Sequence, residues 1–295
     1  MLVAGALLAT VAPASASELI TWGIHDPALI VNKYGVARVS YTDRNGVRHH
    51  TLAWGAVNAR TPSQTQGQLK FKLDYSGGSG GFTSGYWRRM RNACKAYTGP
   101  ALADRVVACT APDGSHWALQ SWRRELRDGG WKGTLRQQSA ELHLSHWTGK
   151  LPQLFADTAW LQNGQIDRVF GYLHYASKGV YGFGSTNVGA PLDGYGRNVY
   201  IDTLNPAWGK GWYRFNSGLT HRSAGNFCLG MYKMYKRTHY ANGSEYRLTV
   251  MGPGVTPIVS WHHKAPGKYS ATIQQQKMQE LKSFTPANDS CRTSS

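Results

Sequence analysis

The sequence predicts a mainly β protein: an antiparallel β-sandwich or barrel-like fold with a C-terminal α-helix and long Gly/aromatic loops. Three observations in the 295-residue chain support this. Short runs alternate apolar and polar residues at period two, clusters of Gly, Pro, Asn and Asp separate those runs, and helical periodicity is confined to two segments. Many short strands at such spacing bury one face each by stacking sheet on sheet.

The chain opens on an apolar run, Leu2 to Val11, followed by Ala14-Ser15-Ala16. That order reads as a signal peptide over residues 1–16, cut before Ser17. The run is too short for a membrane helix, which needs about 20 apolar residues, and no later stretch approaches that length. The protein is therefore expected to be secreted and extracellular, with no transmembrane segment. Residues 17–295 read as a single secreted β-rich domain. The stretch SGGSGG, residues 76–81, has the composition of a linker and would set off an N-terminal β module at 17–75, although a long hairpin loop accounts for it equally well.

Ala37 to Gly55 reads as a hairpin, with Asn45-Gly46 supplying the positive φ of a tight turn. Gln68 to Tyr75 alternates again. Arg105 to Trp122 reads as a second hairpin about Pro112-Asp113-Gly114. Further strands are expected in 140–147, 151–161, 167–175, 179–185, 197–204, 246–252 and 256–263. Tyr86 to Tyr97 is compatible with a short basic helix or a loop. Ser270 to Phe284 carries the stronger helical pattern, with Ser270 as N-cap and Ile273, Met278, Leu281 and Phe284 near one face that should lie on a sheet.

Four cysteines suit an oxidising compartment. Cys94 with Cys109 and Cys228 with Cys291 are the expected pairs, because short loops close most easily. No C-x-x-C or paired Cys/His spacing points to zinc, so neither a metal nor another cofactor is expected.

The formal net charge is +17, distributed unevenly. Between Tyr86 and Arg136 ten basic residues face four acidic ones, whereas between Glu141 and Asp202 acids outnumber bases by one. A regional positive field outside a cell attracts acidic polysaccharide, other envelope polymers or lipid headgroups. The chain carries no motif for specific nucleic-acid recognition, and charge alone gives only nonspecific affinity.

No nucleophile elbow, H-E-x-x-H or Walker loop is present. His143 and His146 fall on opposite faces of a strand, which argues against a shared metal. Glu141 and His143 fall on one face, either as an acid/base couple or as part of a solvated polar surface. A glycosidase would need two carboxylates about 5–9.5 Å apart. The candidates are Asp193, Asp202 and Glu141, with Asp157 as a further neighbour.

The stretch from Pro191 to His221 presents Tyr195, Arg197, Asn198, Tyr200, Trp208, Trp212 and His221. Aromatic faces stack on sugar rings, and Arg and Asn supply directional hydrogen bonds. The expectation is a non-catalytic exported protein that binds an anionic or carbohydrate polymer of the cell envelope. The alternative is a secreted glycan or peptidoglycan hydrolase with an acid/base site near residues 191–221.

Overall fold

Both expected hairpins form, and each contributes to a sheet of its own. At the first, Asp43 accepts from Gly46 N through its carbonyl and from Asn45 N and Val47 N through Oδ1, while Gly46 takes φ 80°. At the second, Gly114 takes φ 83° and Asp113 Oδ1 accepts from Ser115 N and Oγ. The computed structural model describes residues 17–60, 68–80, 82–123, 126, 139–162, 165–176, 178–179, 184–185, 191–192, 199–214, 216–222, 225–232, 243–251 and 254–284. The expected signal peptide lies outside these residues.

The fold is a sandwich-like arrangement of antiparallel sheets. A meander joins β2 (His25–Val31), β3 (Ala37–Thr42), β4 (Arg48–Trp54) and β5 (Lys72–Asp74) in chain order. Facing it are β1 (Glu18–Trp22), β6 (Lys95–Ala96), β7 (Arg105–Thr110), β8 (His116–Trp122) and β9 (Glu141–Trp147), ordered β1-β9-β8-β7-β6. One apolar cluster fills the space between them, with Val31, Val39, Trp117, Leu119, Leu142 and Leu144 at its centre.

A second pair of sheets follows. One holds β10 (Gln153–Gln162), β11 (Gln165–Tyr175), β17 (Asn216–Arg222) and β18 (Asn226–Tyr232), ordered β10-β11-β18-β17, with the short β12 (Lys178–Gly179) beside β11. The other holds β15 (Val199–Leu204), β16 (Trp212–Arg214), β19 (Glu245–Val250) and β20 (Val259–Lys264), ordered β16-β15-β19-β20. The brief pair β13 (Gly184–Ser185) and β14 (Pro191–Leu192) forms a separate two-stranded ladder. Val199, Ile201, Tyr246, Leu248 and Val250 alternate inward onto Val169, Leu173, Phe227 and Leu229. Period two thus decides which face of each strand is core. At Gly171 an added Cβ would strike the Phe155 carbonyl, so glycine is what permits β10 and β11 to approach there.

Two local expectations change. The helix at Tyr86–Tyr97 shrinks to one turn, Tyr86–Arg89, because Met90 turns extended and buries itself with Val36 and Leu52. Beyond it Asn92 Oδ1 accepts from Val31 N, and Lys95–Ala96 pairs with β7. The strand expected over Gln68–Tyr75 is confined to Lys72–Asp74. Ser76 to Gly80 folds back on Asp74, whose carboxylate accepts from Ser76 N and Gly80 N. Residues on both sides of that turn share one core through the pairing of β1 with β9.

The C-terminal helix spans Ala271–Phe284, and Ser270 Oγ accepts from Ile273 N as its cap. Leu281, with Met278 and Phe284, packs on Ala159, Phe170 and Cys228, while Ile273 reaches the main cluster of the second pair of sheets. Among the described residues no helix is long and apolar enough to cross a membrane.

Cys94 and Cys109 are joined, with 5.6 Å between their Cα atoms and a sequence separation of 15. Cys228 is also disulfide-bonded, and its expected partner Cys291 lies outside the described residues. Replacing Cys94 and Cys109 together by alanine is expected to cost about 3 kcal/mol, the chain-entropy value for a loop of this length. Urea unfolding would show it as a lower midpoint with a steeper slope, because the denatured chain without the cross-link is less compact.

Candidate functional site

The candidate site is assembled where the end of β8 meets the outer face of the β16-β15-β19-β20 sheet. On that face cross-strand register places Arg214, Asp202, Arg247 and His262 in one row, because Asp202 pairs with Arg214 and with Arg247, and Arg247 pairs with His262. Trp212, Leu204, Glu245 and Lys264 form the next row. Tyr200 shares the face, two residues before Asp202. The same alternation that sends Val199 and Ile201 into the core sends these residues outward.

Trp122, the last residue of β8, closes on this face. Its ring lies 5.1 Å from that of Tyr200, and the Arg214 guanidinium sits 5.1 Å from the Trp122 ring and 4.1 Å from the Tyr200 ring. Arg247 lies 4.8 Å from the Trp212 ring, and Trp212 meets His262 edge to face at 5.4 Å. Met251 and Ile258 pack against Trp122 in one small apolar cluster.

Asp202 is the electrostatic centre. Its side chain is 0% exposed and accepts four hydrogen bonds. Arg214 Nε reaches Oδ1 at 2.8 Å and Nη2 reaches Oδ2 at 3.3 Å. Arg247 donates to Oδ2 from Nε at 3.1 Å and from Nη2 at 2.9 Å. Three of these bonds fall on Oδ2 and one on Oδ1. The guanidinium groups remain 11% and 20% exposed. Near them, desolvation pushes the Asp104 carboxyl up, Arg247 opposing the shift and Asp202 adding to it, although Asp104 keeps an exposed flank.

Glu141 stands directly across from Trp122 in the β8–β9 pairing, and His143 stands across from Gln120. His143 Nε2 lies 2.9 Å from Glu141 Oε2, and Nδ1 lies 2.9 Å from the Ser17 carbonyl oxygen. Both ring nitrogens therefore face oxygen, with the Ser17 hydroxyl also 3.3 Å from Nδ1. The polar face of β9 is not solvated: Glu141, His143, Ser145 and Trp147 are all buried. Ser17 covers His143, and Gln120 beside it is bonded to Ile258, which supplies the cover that strand alternation alone does not reveal.

The structure thus gathers Glu141, Asp202 and Tyr200 around Trp122, with Trp212 on the far flank of Arg247. Trp208 goes elsewhere, packing against the inner core while its carbonyl accepts from Tyr213 Oη. His221 is described as a backbone position in β17, opposite Cys228. Asp193, Tyr195, Arg197 and Asn198 lie outside the described residues. His146 turns away from His143 to stack on Trp117 at 3.8 Å, as alternation requires. Asp157 is bound to Lys277 of the C-terminal helix. No three His, Cys, Asp or Glu side chains are grouped as a metal would need among the described residues.

Sequence reasoning missed Trp122, Arg214, Arg247 and Asp104. Their sequence separation from Asp202 hides the pairing, and only the register of β15 with β16 and β19 brings the two arginines onto one carboxylate. In comparisons with known proteins, no family model, curated protein or solved structure matches this chain, so its site is read from its own geometry.

Proposed function

We propose that this is an exported β-rich protein that binds an anionic or carbohydrate polymer of the cell envelope without catalysis. The observation that supports this most directly is the convergence of the half-buried Tyr200 and Trp212 with Arg214 and Arg247 on one sheet face, backed by the buried Trp122. Aromatic rings offer flat apolar area to sugar rings, and guanidinium groups bind carboxylate or phosphate in a fixed fork. The surplus of ten basic over four acidic residues between Tyr86 and Arg136 adds long-range attraction. A signal peptide and paired cysteines accord with an extracellular place of action.

The test is retention of the mature protein on isolated cell-wall polysaccharide and peptidoglycan, with soluble sugar followed in the same tubes. Retention is expected to fall steeply with salt, since screening shortens from about 10 Å at 0.1 M to about 3 Å at 1 M. Trp212→Ala and Arg247→Ala are each expected to weaken retention about tenfold, the scale of one stacking or charge-assisted contact. Salt-independent retention, or none at all, would remove the proposal.

A hydrolase reading keeps one specific support, the hydrogen-bonded Glu141–His143 pair beside Trp122. It requires release of soluble fragments that stops in Glu141→Gln or Asp193→Asn. Retention without release decides for the binding protein.

A further inference from the structure

We infer that Trp122 Nε1 and Arg214 Nη1 together form a seat for a single oxyanion group, a carboxylate or a phosphate carried on the ligand. Both atoms are buried, and neither has a hydrogen-bond acceptor among the described residues. They belong to side chains in contact, since the Arg214 guanidinium lies against the Trp122 ring. Buried donors are almost always paired in folded proteins, and each one left alone is costly. One acceptor reaching both side chains would satisfy the two donors together.

The guanidinium geometry explains why Nη1 is left over. Arg214 uses its Nε and Nη2 edge for Asp202, so its remaining corner points away from that carboxylate. The Tyr200 ring at 4.1 Å and the Asp202 fork prevent it from swinging to another partner. Trp122 is equally fixed, being 3% exposed and packed between Tyr200, Met251 and Ile258. An indole N–H cannot accept, and neither can a guanidinium, so the group that fits must bring oxygen lone pairs.

Charge selects an anion over a neutral hydroxyl. Two guanidinium groups share the fully buried carboxylate of Asp202, and the nearby Glu141 carboxylate is engaged with His143. His262, next in the row, is already occupied with Glu245. A monoanion at the seat would complete the compensation of Arg214. This inference rests on the polymer-binding reading only for the nature of the carrier.

The decisive measurement is the indole N–H region of a two-dimensional nitrogen–proton spectrum of the wild-type mature protein, with the Trp122 resonance identified through Trp122→Phe. Sodium galacturonate, glycerol phosphate and neutral methyl galactoside are the probes. The Trp122 resonance is expected to move downfield with one or both anions and to ignore the neutral sugar. A response to galacturonate alone assigns a carboxylate source, and a response to glycerol phosphate alone assigns a phosphate source. Arg214→Lys keeps the charge but loses Nη1, and is expected to weaken that response about tenfold or more.

A Trp122 resonance indifferent to both anions, or equally moved by the neutral sugar, overturns the seat. Polymer retention without any indole response overturns the seat and leaves the aromatic–arginine face standing. An indole response to small anions without polymer retention upholds the seat and removes the polymer reading.

Discussion

Replacing Asp202 by asparagine is expected to destabilise the protein by about 3–5 kcal/mol, the cost of leaving buried charge without its partner. Asp202 receives four N–H donors from two guanidinium groups. An asparagine oxygen satisfies fewer of them, and its amide turns two further donors toward groups that only donate. Thermal unfolding followed by circular dichroism would register this as a drop of roughly 10 °C, at about 2–4 °C per kcal/mol for a chain of this size. The control is the triple replacement Asp202→Leu, Arg214→Met, Arg247→Met. With charges and partners removed together, it is expected to recover most of the loss. A D202N protein within about 1 kcal/mol of wild type, below the usual cost of breaking a buried pair, would show that the arginines find other compensation.

How far the fold was legible follows from which signals are local. Asn45-Gly46 and Pro112-Asp113-Gly114 act within four residues, so both hairpins and their registers follow from sequence. The Ser270 cap and the Ile273, Met278, Leu281 and Phe284 stripe are local in the same sense. β1 and β2 carried no comparable signal: Pro27 interrupts β2, and β1 is held by β9, more than one hundred residues away in sequence. β17 and β18 are broken by Gly218 and Gly230, which face each other across the pair and weaken the alternating pattern in both strands at once. The basic helix at Tyr86–Tyr97 lost to tertiary packing, since burying Met90 and closing Cys94 onto Cys109 outweigh a few residues of propensity.

The site was legible in part for the same reason. Alternation placed Tyr200 and Asp202 on one face and separated His143 from His146, and the structure agrees on both points. It was silent on what opposes each face. Asp202 reads from sequence as a candidate catalytic carboxylate, and the side chains that hold it, Arg214 and Arg247, come from strands 12 and 45 residues further on. Alternation puts Glu141 and His143 on one face without showing that the face is buried, because the residues that cover it, Ser17 and those of the Ile258 segment, lie more than one hundred residues away in either direction.

Gln120→Leu is the second large expected effect, about 3 kcal/mol, because one side chain serves three backbone groups. Gln120 Nε2 donates to the Ala103 carbonyl at 2.8 Å and to the Ile258 carbonyl at 3.0 Å, while its Oε1 accepts from Ile258 N at 2.9 Å. It is fully buried, so leucine fits the volume but leaves the Ile258 N–H without a partner. The residue ties β8 of the first pair of sheets to the segment that leads into β20 of the second, and that segment also carries the packing of Ile258 on Trp122. Loss of stability should therefore come with faster amide exchange at Ile258 and a perturbed Trp122 indole resonance. If Q120L unfolds at a lower midpoint while the Trp122 signal stays in place, the two halves are held together by other contacts, and the seat at Trp122 does not depend on this tie.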